Sequence, residues 1–159
     1  MPSMHVVRSM QPEEIPIVSR WLITLPLMQR YHMTQASAQR MFEQGFSRGD
    51  HLMVADAGNA TACGFAWVMP QGTFGRSAYL RLLGVRQDFA SQGVGSALLD
   101  EAEQFAFDAG RDFFLLVSDF NVQAQNFYRR HGFRQIGAIP GYVLPDITEL
   151  IFWKPYPTS

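Results

Sequence analysis

The sequence predicts an α/β protein with a mixed, mostly antiparallel central sheet of six or seven strands and helices on both faces. Element types alternate along the chain, and the hydrophobic period changes from two to about 3.6 in the second half. That half also runs strand, helix, strand, helix, an order that requires a crossover connection and therefore at least one parallel strand pair.

Each element follows from its residues. "MHVVRSM" reads as a first strand and "QPEEIPIVSRWL" as a helix begun near Pro12, with Pro16 blurring the boundary. After the loop "TLPLMQRYHM", "TQASAQRMFEQGF" reads as a second helix capped by Thr34. "HLMVADAGNATACGFAWVMP" reads as two strands about a turn at "AGNA", followed by the loop "QGTFGRSA" and the strand "YLRLLGV". Val94, Leu98, Ala102, Phe105 and Ala106 recur at helical spacing, and Gly110 marks the stop. "DFFLLVS" is a continuous apolar run, as expected of a central strand covered on both faces. "NVQAQNFYRRH" is helical and ends at Gly132, and "FRQIGAI" and "TELIFWK" supply the last strands. No linker, repeat or low-complexity segment divides residues 1–159, so one domain is expected.

Composition narrows the function. With 47% apolar and 17% charged residues the chain can bury a full core. Its net charge of −1 comes from 13 basic and 14 acidic residues without long blocks of either sign, which disfavours nucleic acid and membrane surfaces as partners. The start "MPSMHVVRSMQPEEIP" lacks the apolar core of a secretion signal and "WLITLPLM" is too short to cross a bilayer, so a cytoplasmic location is expected. Cys63, the single cysteine, permits neither an internal disulfide nor a thiol-rich metal site, and within "TACGFAWV" it reads as core packing. His5, His32 and His51 stand alone and His131 lies at a helix end, so no metal is expected.

The chemistry concentrates at "ASQGVGSALL", residues 90–99. Gly93 and Gly95 could serve only to relieve crowding where a strand turns into a helix. No Gly-Lys-Ser/Thr follows, which excludes a P-loop. A dinucleotide fingerprint would need glycine where Leu98 stands, and Asp112 precedes the next strand instead of ending it. The backbone N–H groups from Gln92 to Ser96 are the unpaired donors of the helix that starts there, and the missing β-carbons let an anion approach them. A pyrophosphate fits such a cradle.

"LLGVRQDFASQGVGSALL" followed by "NVQAQNFYRRHGF" resembles the GNAT superfamily of N-acetyltransferases. That family's loop has the form Gln/Arg-x-x-Gly-x-Gly/Ala; Gly93 and Gly95 match it, while Ala90 departs from its first position. Asn121, Ala124, Phe127, Tyr128, Gly132 and Phe133 match the pattern Asn-x-x-Ala-x-x-Phe-Tyr-x-x-x-Gly-Phe at every named position. The resemblance covers about residues 78–135 as an acetyl-CoA-binding core and leaves residues 1–50 as the acceptor-side elements. It implies acetyl-CoA as co-substrate, bound by Leu83, Gly84, Val85, Ser91, Gln92, Gly93, Val94, Gly95, Ser96, Asn121, Ala124, Phe127 and Tyr128.

Spacing supports part of that assignment. Asn121, Ala124 and Tyr128 fall at i, i+3 and i+7 on one helical face, with the first and last roughly 10 Å apart along the axis, and Phe127 is expected to face the core. Tyr128 could be a packing residue whose hydroxyl reaches a backbone partner. The resemblance implies instead a general acid to the CoA sulfur, a role that suits a phenol with a reference pKa of about 10. The expected reaction is transfer of the acetyl group to a primary amine by direct attack through a tetrahedral intermediate, whose oxyanion a backbone N–H of Leu83 or Val85 could hold. The strand "AYLRLLGV" carries no carboxylate to act as base. Asp56, Asp88, Asp119 and Glu149 are the other candidates, each read as a solvated turn or strand-end residue, and a water chain could serve instead.

A small-molecule amine or a peptide is the expected acceptor. The stretches "TLPLMQRYHM", "MPQGTFGRSAY" and "PGYVLPD" supply apolar and aromatic rims and few acids, which argues against a polycationic acceptor. A non-catalytic acyl-CoA sensor or interaction module is the alternative function, and exposed strand edges leave a homodimer open.

Overall fold

The short alternating runs and the long apolar run meet in one seven-stranded sheet in the computed structural model, which describes residues 5–158. Met4 of the first expected strand, and residues 1–4 and 159 of the expected single domain, lie outside the described residues. The strands are β1 (His5–Ser9), β2 (His51–Ala57), β3 (Ala60–Thr73), β4 (Ser77–Val85), β5 (Phe113–Ser118), β6 (Arg134–Pro140) and β7 (Thr148–Lys154). Their spatial order is β1-β2-β3-β4-β5-β7-β6, and β4 with β5 forms the parallel pair that the crossover requires. The described neighbours elsewhere in the sheet run antiparallel.

The helices α1 (Ile15–Leu22), α2 (Pro26–Arg30) and α3 (Gln35–Arg48) pack on one face, and α4 (Val94–Asp108) and α5 (Val122–Arg130) on the other. Thr34 caps α3 as expected, accepting from the Ser37 N–H while the Ser37 hydroxyl accepts from the Thr34 N–H. On the α3 side Phe42 stacks on Trp67 at 5.1 Å and 21° and meets Phe65 edge-on. At Gly45 a β-carbon would stand 2.4 Å from Trp67 Cζ2, so α3 approaches the sheet at a distance only glycine permits. On the other face Val94, Leu98, Leu99, Ala102 and Ala106 bury against Phe113 and Leu115. Each fully buried Phe or Leu contributes about 1.5–3 kcal/mol of transfer free energy. Cys63 is fully buried there, and burial pushes its thiol pKa up.

Two expected loops are more regular than their composition suggests. β3 runs on to Thr73 and β4 begins at Ser77, so the expected eight-residue loop shrinks to a tight turn. Phe74 and Gly75 both hold positive φ, at 58° and 66°, the geometry that matches the twist of paired strands. Within "TLPLMQRYHM" the stretch Pro26–Arg30 is helical, because Pro26 at the helix start presets φ and Met28 is buried as an anchor. Among the described residues no helix is long and apolar enough to cross a membrane.

Candidate active site

Strands β4 and β5 stay paired only from Ala78 with Phe113 to Leu80 with Leu115. Both continue further, to Val85 and Ser118, so they part beyond that point and leave a wedge in the sheet. A bulge starts the divergence: Leu80 pairs with Val68 and Leu82 with Trp67, which leaves Arg81 without a partner on β3. The Arg86 N–H donates to the Cys63 carbonyl at 2.7 Å, and Gly84 and Leu82 continue that ladder opposite Phe65 and Trp67. Antiparallel alternation therefore turns the main-chain N–H and C=O of Leu83 and Val85 away from β3 and into the wedge. Gly84 is turned the other way, against Phe65 and Leu22.

A cavity of about 430 Å³ fills the opening. Leu82, Leu83, Leu116 and Val117 form its strand walls, and Asn121, Ala124, Phe127 and Tyr128 cover it from α5. All three residues of the expected helical face thus reach one cavity. Phe127 packs on the core as expected, meets Tyr128 edge-on at 5.3 Å and also lines the cavity. Asn121 caps α5 by accepting the Ala124 N–H at 3.2 Å, a task that occupies its oxygen and leaves its amide nitrogen for other partners.

Beyond the C-terminal end of β4 the chain enters the glycine turn. Ser91 and Gly93 hold positive φ, at 62° and 85°, and Gly93 forms the N-cap of α4. Among the described residues the N–H groups from Ser91 to Ser96 have no backbone acceptor outside the helix, the first main-chain bond there being Ala97 to Gly93. Val94 is fully buried, and Ser96 Oγ lies 3.1 Å from His131 Nε2. The turn is tied to the first strand by His5, whose Nε2 sits 2.8 Å from the Gln92 carbonyl oxygen. These donors, with the free edge of β4 leading from them to the cavity, fit the pyrophosphate and amide arm of acetyl-CoA.

Two ionisable groups face each other's neighbourhood inside the cavity. Tyr128 is 9% exposed and its hydroxyl makes no hydrogen bond among the described residues; burial, helped by Tyr79, pushes its phenol pKa above the ordinary value. Glu149 of β7 is 5% exposed and accepts a hydrogen bond from the Tyr31 hydroxyl, which also lies 2.5 Å from Ser118 Oγ. Burial first and Glu149 second push the Tyr31 pKa up to about 12. The reading of Glu149 as a solvated strand-end acid is therefore corrected: its side chain is buried, and Oε2 accepts from a tyrosine far away in sequence.

The other acid candidates lie outside this cavity. Asp56 is paired with Arg8 at 2.7 Å and accepts the Ala62 N–H, Asp88 is paired with Arg86 at 2.7 Å on the surface, and Asp119 accepts the Thr148 N–H.

A family model described as "Acetyltransferase (GNAT) family" matches residues 20–133 of the 159. The chain belongs to the GNAT acetyltransferase family. Comparison with curated proteins gives no significant match. Among solved structures this GNAT protein is similar to Ard1 from Thermoplasma volcanium, at 23% identity and TM-score 0.77 over 97% of this chain and 99% of that one. It is also similar to the ribosomal-protein-S18-alanine N-acetyltransferase from Escherichia coli, at 18% identity and TM-score 0.74 over 98% and 96% of the two chains. The yncA protein from Salmonella typhimurium, solved with its cofactor acetyl-CoA, shares 12% identity and a TM-score of 0.77 over 98% and 95%. At these identities the likeness is one of fold, and family membership implies acyl transfer.

Sequence reasoning missed Ser118 and Arg81 as lining residues of this GNAT cavity. The rim stretch "TLPLMQRYHM" was a usable signal, since Leu27, Met28, Tyr31 and Met33 from it line the cavity together with Met41 of α3. Nothing local singles out Ser118 or Arg81, whose neighbours come from other strands and helices.

Proposed function

We propose that the protein is an N-acetyltransferase that moves the acetyl group of acetyl-CoA to a primary amine by direct attack. The observation that carries this reading is the meeting of Tyr128 and Glu149 in one cavity at the parting of β4 and β5. Main-chain amides of Gln92, Gly93, Val94, Gly95 and Ser96, with Ser91 beside them, would hold the pyrophosphate. The free edge at Leu83 and Val85 would bond the amides of the pantetheine arm, with Gly84 setting the strand close against Phe65, and Asn121, Ala124 and Phe127 would flank it.

Acetyl-CoA supplies the activated thioester carbonyl. The Leu83 N–H, turned away from β3, would stabilise negative charge on the carbonyl oxygen. Glu149, held by the Tyr31 hydroxyl, takes one proton from the incoming ammonium so that a neutral nitrogen can form the new C–N bond. Tyr128 gives its proton to the sulfur as the C–S bond breaks, and the proton lost from nitrogen after attack restores the phenol. The balance is one amide, one thiol and one proton released to solvent. Residues 1–50 would supply the acceptor side through Leu27, Met28, Tyr31, Met33 and Met41.

The test is free-thiol release from acetyl-CoA across a panel of primary amines, run beside calorimetric titration with CoA. Binding accompanied by amine-dependent thiol release is expected. Binding with no release on any acceptor would favour a ligand sensor and overturn the proposal.

A further inference from the structure

Among the described residues lining the cavity, Arg81 is the one cation and Glu149 the one carboxylate. Arg81 sits at the β4 bulge, and its guanidinium lies over the Trp67 ring at 4.9 Å. No carboxylate pairs with it among the described residues, whereas Arg8 has two and Arg30, Arg48 and Arg86 have one each. Trp67 is itself fully buried and stacked on Phe42, so the guanidinium rests on a fixed platform. The two charges act on a common point: Tyr79, in the same cavity, is raised chiefly by burial, an effect that Arg81 opposes and Glu149 reinforces. Leu27, Met28, Met33 and Met41 give the same cavity an apolar and pliable wall.

A cavity lined by one cation, one carboxylate and otherwise uncharged side chains has no net charge to offer. A simple amine placed against Glu149 would leave Arg81 shielded from water without an anion, and a polyamine would find a single carboxylate for several charges. A peptide N-terminus would present a neutral carbonyl where a guanidinium calls for a carboxylate. The volume of about 430 Å³, shared with the acyl end of the donor, leaves room for one small molecule.

We propose that the acceptor is a free amino acid with an apolar side chain, its amine at Glu149, its carboxylate at Arg81 and its side chain against the methionine and leucine wall. The inference rests on the N-acetyltransferase reading above. In the reaction the C–N bond forms at the α-nitrogen, the thioester C–S bond breaks, and the carboxylate stays unchanged at Arg81.

The experiment compares thiol release with leucine, methionine and phenylalanine against their decarboxylated amines and against leucylglycine. For the wild-type protein kcat/KM is expected to be at least about 10-fold higher for the amino acids, the size of one charge-assisted bidentate contact. Arg81→Met is expected to remove that preference while leaving the amines within about threefold and the CoA affinity unchanged. Arg81→Lys is expected to retain part of it, because the charge remains without the fork. Preference for the amines or the dipeptide by the wild-type protein overturns the inference and leaves acetyl transfer standing. An equal loss on every acceptor in both variants likewise overturns it. Thiol release with none of them, while CoA still binds, overturns the acetyltransferase reading itself.

Discussion

Tyr31, one residue past α2, donates its hydroxyl hydrogen to Glu149 of β7 across 118 positions of sequence. That contact ties the end of α2 to β7 and holds the one carboxylate among the described residues that line the cavity. Glu149→Gln keeps the shape and removes the proton acceptor. Its kcat/KM is expected to fall about 100-fold near neutral pH, within the range for general base catalysis. The deficit should shrink as pH rises toward the pKa of the acceptor amine, about 10 for a lysine-like nitrogen, because a neutral amine needs no base. A pH–rate profile in which the loss stays constant would assign Glu149 a structural task only.

Tyr128 is buried and its pKa lies above the ordinary tyrosine value, so it stays protonated through the whole range in which the amine can react. Tyr128→Phe is expected to lower kcat by about 10²- to 10⁴-fold with little change in CoA affinity. The wild-type profile should carry no basic limb from this group below about pH 10. Stopped-flow thiol detection and calorimetry separate the two effects; an unchanged kcat would return Tyr128 to core packing beside Phe133 and Phe152.

Gly93 holds φ of 85° directly before α4. Replacing it with alanine costs about 1–2 kcal/mol in that left-handed conformation. The strain falls on the turn whose N–H groups point outward, so the Kd for CoA should rise about 10-fold while the cooperative unfolding transition moves by only a few degrees. Ser91 holds φ of 62° without being glycine, and Ser91→Gly should relieve strain there and leave CoA binding intact. Titration calorimetry on the two variants checks both directions.

Arg8 bridges Glu14 and Asp56 at 2.7 Å each, and its guanidinium holds both carboxylates below their ordinary pKa values. Folded, these acids bind fewer protons at acidic pH than they do unfolded. Their contribution to stability is therefore present above about pH 4, the unfolded value, and is lost as pH falls through the lower folded values. Arg8→Met should lower stability at pH 7 by about 1–3 kcal/mol, the scale of hydrogen bonds to charged groups. Its stability should also vary less with pH than the wild-type protein's below pH 4. Thermal melts from pH 2 to pH 7 read this directly, and parallel curves for the two proteins would refute it.

Residues 94–106 and 113–118 carry their own structural assignments, because helical spacing and an unbroken apolar run are properties of adjacent residues. The same holds for the glycine turn, whose donors belong to consecutive peptide units, and for the Asn121 to Tyr128 face of α5. The helix at Pro26–Arg30 was obscured, since five residues are too few for a period to emerge, and the β3–β4 hairpin was obscured by the polar residues near its exposed tip.

What the chain encodes locally is therefore the sheet-and-helix order, the capped turn and the phenol at 128. Tertiary structure alone decided that β4 would bulge at Arg81 and leave β5 after Leu115, and that Glu149 would meet Tyr31 and Ser118. Strand register and side-chain convergence depend on which distant segments bury each other's surfaces, and hydrophobic burial has no direction along the chain from which a partner could be read.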